Sequence, residues 1–216
     1  MIRAMIRAIT EKYHLNGITA GEFSKMKFSG MNFEIWAFHA EGLGHVSAMT
    51  ARGFFGLMKM DTLIINPTEK DMPMMSYDRV QAMGNDTLIY ELYDTLLEKT
   101  DLSNVEAVKN EYTDLPDHDL GQHWYDSIKL AASMSKKGTR RQTPAFDQCT
   151  MTYLQSYLED AGKADYCEPA GKQSKASVYV EGLLEKGGPS TDVFLKGIGK
   201  DKTAELFRNV LFGTGR

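Results

Sequence analysis

The chain reads as an α+β fold: strand-like segments fill much of its first half, and its final third is almost entirely helical. Two patterns carry that reading. Apolar residues alternate with polar ones in short runs between Asn32 and Val80, the period of a strand with one face buried. From Phe146 onward the apolar positions recur three and four apart, the period of a helix. The 216 residues suit a single domain, and 42% hydrophobic with 25% charged residues is the balance of a folded globular chain rather than a disordered or fibrous one.

In chain order, Ile2, Met5, Ile6, Ile9 and Tyr13 mark an amphipathic helix, which glycines and polar residues interrupt from Asn16 to Ser29. N-F-E-I-W-A-F-H, Asn32 to His39, reads as a strand closed by the turn Gly42-Leu43-Gly44. His45–Ala51, Leu57–Asn66 and Met72–Val80 are further strands, with Pro73 confined to a strand start or an edge because it has no N–H to donate. Asp86–Lys99 fits a helical face and strand composition equally well, so both readings stand. Ser103 and Glu106 have the spacing of a capping box opening a short helix. Trp124–Met134 is the candidate last strand, followed by a basic turn, Lys136-Lys137-Gly138-Thr139-Arg140-Arg141. Phe146 to Ala161, Lys172 to Lys186, a short segment capped by Ser190 or Thr191, and Asp201 to Leu211 complete the helices.

Composition narrows the function. No apolar run nears the ~20 residues of a membrane helix, and a formal charge of −4 offers no global field for nucleic acid, so neither partner is expected. Met1–Met5 lacks the apolar stretch of a signal peptide, and two cysteines make no disulfide framework; both point to the cytoplasm. Thirteen methionines, nine of them between residues 26 and 83, suit either ordinary core filling or a surface adapted to a large flat ligand; Met58, Met60, Met74 and Met75 are the candidate contacts.

Chemistry-bearing motifs are few. G-x-S-x-G, G-x-G-x-x-G after a strand, the P-loop and H-E-x-x-H are all absent, so no dinucleotide, nucleotide or zinc-protease site is expected and no resident metal is assigned. His118, Asp119 and His123 share a loop and keep a metal-dependent hydrolase open as an alternative. The most informative stretch runs from Asn66 to Val80. It places Asp78 on a strand among Met74, Met75 and Tyr77, where an apolar surrounding would raise a carboxyl's pKa and fit it to donate a proton near neutral pH. A surface ion pair with Arg79 is the competing reading of that aspartate.

Asp71-Met72-Pro73 followed by Asp78-Arg79-Val80, D-x-P-x-x-x-x-D-x-V, resembles the ferredoxin-dependent bilin reductases and the related red chlorophyll catabolite reductases. Trp124-Tyr125, the helical Tyr153, Tyr157 and Tyr179, the turn Gly187-Gly188-Pro189-Ser190 and the terminal Leu211-Phe212 follow in the family's order. The resemblance implies a three-layer α/β/α sandwich with the C-terminal helices on one face of a central antiparallel sheet. It also implies a linear tetrapyrrole between sheet and helices, Asp78 as proton donor, and ferredoxin as electron source with no cofactor bound in the protein. Two positions depart from the pattern. Thr62 stands about where many of these reductases have histidine, and Gly187-Gly188 where they have Asn-Asp, so Asp61, Asp192 and His45 become candidate substitutes. Lys136 and Arg140 of the basic turn are candidates to meet the propionates or an acidic ferredoxin face. A non-catalytic tetrapyrrole or aromatic-ligand carrier of the same fold is the alternative.

Overall fold

The computed structural model of the chain describes residues 1–215. Helix α1 (Ile2–Thr10) precedes strands β1 (Leu15–Ile18), β2 (Lys25–Phe28), β3 (Met31–Ala40), β4 (Gly44–Gly53), β5 (Met58–Pro67), β6 (Met74–Ala82) and β7 (Asn85–Tyr93). After α2 (Ser103–Glu111) and an irregular stretch come β8 (Met134–Thr139) and helices α3 (Thr143–Lys163), α4 (Pro169–Lys186), α5 (Pro189–Ile198) and α6 (Lys200–Glu205). The last of these runs on into a π-helical turn, Leu206–Leu211. Among the described residues no helix is long and apolar enough to cross a membrane.

The eight strands of the described residues form one antiparallel sheet in the order β1-β3-β4-β5-β6-β7-β8, with β2 pairing the other half of the β3 edge. From β3 to β7 the chain is a meander. Its β6–β7 link is a two-residue turn in which both Met83 (φ 49°) and Gly84 (φ 83°) are left-handed, the twist a tight hairpin requires.

Both faces of this sheet are covered, giving the three-layer sandwich. Val46, Ala48, Leu63, Ile65, Tyr77, Leu88, Tyr90 and Leu92 point to one side and are buried with residues of α1, α2 and α3. Phe33, Ile35, Met49, Ile64 and Tyr93 point to the other and are buried with α4, α5 and the π-helical turn. Tyrosines do much of the filling on the α3 side. Tyr90 stacks on Tyr153 with centroids 3.9 Å apart, and the hydroxyls of Tyr90, Tyr153 and Tyr157 donate to the carbonyls of Thr150, Ala132 and Pro73.

The ambiguous segment after Asp86 is a strand because β7 finds ladder partners on both sides, β6 and β8, which a helix there would leave unpaired. Four expectations are corrected, the first being the cap of α5: that helix opens at Pro189 behind Gly188, so Ser190 and Thr191 lie inside it and neither caps it. Trp124–Ser133 is irregular with a short 3₁₀ turn at Asp126–Ile128, because Trp124 packs on α4 over Gly182 and its indole donates to Gly187 O at 3.0 Å. The last strand is instead the segment read as a basic turn, and it buries Lys136 against Asp117, 2.7 Å away. Ser103 is the first residue of α2 rather than its cap; its N–H donates to Asp101 Oδ1, so no capping box forms. β1 and β2 were hidden by their short length and by Gly17.

Arg79 locks β6, β7 and the start of α3 together. Its guanidinium grips Asp86 twice at 2.8 Å and reaches Asp147 at 2.5 Å, while Thr143 and Gln81 also donate to Asp86. Arg79 is buried and Asp86 fully so. Burial pushes the Asp86 carboxyl up, but the bonds from Arg79, Gln81 and Thr143 together outweigh it and hold the group below its ordinary value. Arg79→Ala, which strands a buried carboxylate, should therefore lower stability by about 3–5 kcal/mol in denaturant titrations at neutral pH. A depressed carboxyl stabilises the fold above its unfolded pKa of about 4 and loses that contribution as pH falls through the folded value. The loss of stability in acid should accordingly be shallower in Arg79→Ala; an identical acid limb would show that this cluster does not set it.

Candidate functional site

On the helix-covered face of the sheet opposite α3, the central strands present polar side chains where a core would ordinarily be apolar. Register places Thr62 of β5 directly across from Asp78 of β6, and Ser76 of β6 directly across from Glu91 of β7. These four line a cavity of about 280 Å³ between the sheet and the helices, close to the lower end of the ~300–1,000 Å³ range of small-molecule sites. Its other walls are largely apolar and aromatic: Phe33, Met60, Ile64, Ile89, Tyr93, Tyr125, Tyr179, Leu183, Phe207 and Phe212. The first turn of α5 (Pro189, Ser190, Thr191) and the loop residues Leu120 and His123 complete it.

The aromatic wall is a connected stack. Tyr93 lies 4.2 Å centroid to centroid from Tyr179, Tyr125 meets Tyr93 edge-on at 5.7 Å, and the His123 ring stacks on Tyr125 at 4.9 Å. Such a wall offers flat π surface to a flat conjugated ligand.

Asp78 sits on the floor, partly exposed, with Thr62 Oγ1 donating to its Oδ1 at 2.5 Å. Burial raises its pKa to about 6; the Thr62 bond pulls the other way, the Glu91 charge adds to the rise, and a bond from Ser76 opposes it. A carboxyl tuned this way keeps a usable protonated fraction near neutral pH. Glu91, on the same face, accepts from the Tyr93 hydroxyl at 2.6 Å and lies 3.5 Å from Lys129 Nζ.

Of the residues proposed from the sequence as catalytic or ligand-binding, Asp78 and Met60 line the cavity, and Thr62, His123, Tyr125, Tyr179, Leu211 and Phe212, noted there for other reasons, line it too. Met75 and Tyr77 do not, because alternation along β6 turns them to the α3 face, where both are fully buried. Met74 is buried on the right face but beyond the cavity, in the packing beneath α4, and Met58 packs at that core's edge. His45 is structural: its Nε2 meets the Val210 carbonyl at 2.8 Å, while Ser47 and Asn66 donate to the carbonyls of Leu211 and Phe212. Together they fasten the π-helical turn to β4 and β5. Asp192 is exposed, on the side of α5 facing Gly187. Asp61 faces away from the cavity and pairs with Arg52 and the N-terminus. Lys136 is consumed by Asp117, and Arg140 lies at the end of β8, bonded to the Leu57 carbonyl. Among the described residues no three of His, Cys, Asp and Glu gather closely enough to hold a metal ion, so His118, Asp119 and His123 make no ligand set.

Sequence reasoning missed Glu91 and Ser76. Reading T-L-I-Y-E-L-Y as a strand would have put Glu91 on one face with Ile89 and Tyr93, but only register brings that face beside Asp78.

The raised pKa has a consequence for stability. Between about pH 4 and pH 6 the folded state binds Asp78's proton more tightly than the unfolded chain, so folding is penalised as pH rises, and fully above the folded pKa. Asp78→Asn should be more stable than the parent above pH 6, by on the order of 2–3 kcal/mol, and equal to it below about pH 4. Denaturation midpoints at both pH values test this; no gain at high pH would mean that the carboxyl ionises there without strain.

No protein-family model matches the sequence, and no curated protein matches it. Among solved structures, the crystal structure of phytochromobilin synthase from tomato in complex with biliverdin superposes with a TM-score of 0.78 at 12% identity, covering 99% of this chain and 83% of that one. At that identity the likeness is one of architecture: the chain has the fold of phytochromobilin synthase.

Proposed function

We propose that this protein binds a linear tetrapyrrole in the cavity above β5, β6 and β7 and reduces it with Asp78 as proton donor and ferredoxin as the source of electrons. The observation that carries the reading is Asp78 itself, a carboxyl raised to about 6 on the floor of an aromatic-walled cavity. It is supported by the D-x-P-x-x-x-x-D-x-V segment and by the likeness in fold to a protein crystallised with biliverdin.

Reducing one double bond of such a ligand consumes two electrons and two protons. Asp78 delivers one proton from its carboxyl to a carbon or nitrogen of the conjugated system and is then recharged from solvent; the second arrives separately. Ferredoxin, a one-electron carrier, acts twice per turnover. The chain's own part is to exclude water, hold the ligand flat against Tyr93, Tyr125 and Tyr179, and supply an acid of matched pKa.

A carrier without chemistry is the second reading. Thr62 in place of a histidine and an Asp192 that is exposed and outside the cavity lining favour it, because both deprive the site of further proton donors. Mixing the protein with biliverdin at micromolar concentration should shift the pigment's visible absorption; an unchanged spectrum would remove both readings. Adding a reduced ferredoxin system should then bleach or shift the bound pigment if the protein is a reductase and leave it intact if it is a carrier. In Asp78→Asn, binding should persist while turnover falls by roughly 10²–10⁴-fold, the usual loss with a general acid.

A further inference from the structure

The end of the sheet where β4 turns into β5 and β6 into β7 carries apolar side chains that the fold does not use. Phe55 is fully exposed, Met83 is 93% exposed, and Phe54 and Leu57 are more than half exposed. Phe54, Phe55 and Met83 all hold left-handed backbone, at φ of 51°, 54° and 49°. Bulky side chains seldom adopt that conformation, and here no packing of the Phe55 or Met83 side chain offsets it.

Cations surround these tips. Antiparallel register brings the β2–β3 turn and the end of β8 to the same end of the sheet. Arg140 joins the two tips, since its N–H donates to Gly84 O and its guanidinium to Leu57 O. Lys27, Lys59, Arg140 and Arg141 are all exposed, and among the described residues none of the four enters an ion pair. Asp61 is committed to Arg52, and Asp86 and Asp147 to Arg79, while Glu34 of β3, in the same cross-strand row as Asp61, is exposed and is the carboxylate there outside any ion pair of the described residues. A chain of net charge −4 thus presents a positive end with greasy points.

We propose that this end of the sheet is a peripheral contact for a bilayer rich in anionic lipid, with Phe54, Phe55, Leu57 and Met83 entering the acyl boundary and Lys27, Lys59, Arg140 and Arg141 meeting the headgroups. The shape selects a bilayer over a protein partner. The apolar groups sit on two convex turns about 10 Å apart, two strand spacings, whereas a stable protein interface buries upward of about 1,000 Å² on matched surfaces. A few inserted side chains with a cationic rim suffice for reversible membrane attachment. An expected lack of membrane contact rested on the missing spanning segment, which bears only on crossing the bilayer. The inference is independent of what the cavity binds.

The test is flotation of the full chain with vesicles of phosphatidylcholine alone and of phosphatidylcholine with about a third phosphatidylserine. Binding is expected to the anionic vesicles only and to weaken with salt. The double variant Phe55→Asn with Met83→Asn places at both left-handed positions a residue that tolerates them, so the fold should survive, as circular dichroism would verify. Its binding should fall at least about tenfold, and Arg140→Glu with Arg141→Glu should abolish binding. No flotation of the parent chain, or flotation that the double variant leaves unchanged, overturns the proposal. So does a parent that sediments as a dimer and becomes monomeric in the double variant without floating, or one that crosslinks to an acidic protein through these tips and ignores vesicles.

Discussion

A sheet covered by helices on both faces leaves its central strands little access to water, and every other feature of this protein follows from how that constraint is met. On the α3 face it is met with apolar and tyrosine side chains whose hydroxyls find carbonyls. On the opposite face the central strands instead carry Thr62, Ser76, Asp78 and Glu91. Polar groups there are tolerated because α4, α5 and the π-helical turn stand off from the sheet enough to leave a cavity, and because each carboxyl has a hydroxyl donating to it.

The cavity persists because its roof is fastened elsewhere. His45, Ser47 and Asn66 hold the last carbonyls of the π-helical turn, which a helix end otherwise leaves unpaired. At the foot of α4, Lys172 is buried and donates to the carbonyls of Met72 and Thr95, pinning that helix to the chain on either side of β6 and β7. Trp124 bridges to Gly187 at the α4–α5 turn. These anchors lie around the cavity rather than in it, so the roof is held in place while the floor keeps a carboxyl that ionisation would destabilise. The residues that hold the roof are thus different from those that line the floor.

That division explains which candidates were legible. Asp78 could be found because an aspartate on a strand among methionines and tyrosines is anomalous by itself. Met75 and Tyr77, the neighbours that made it look anomalous, belong to the other face; adjacency in a strand means opposition in space. His45 and Asp192 were attractive as titratable groups near glycine turns, yet one bonds a backbone carbonyl and the other is exposed and not among the cavity's lining residues. Lys136 looked like a loop cation until a ladder with β7 drew it inward onto Asp117.

Local pattern alone determined the α+β class, the central strands, the long helices and the one carboxyl worth watching, because period and composition are properties of neighbouring residues. Tertiary structure decided that the segment after Asp86 is a strand, that the stretch after Trp124 is not, and that Glu91 and Ser76 join Asp78 while Tyr77 leaves it. Those outcomes depend on which strand pairs with which and in what register, and a hydrogen-bond ladder between residues far apart in the chain leaves no periodic trace along it.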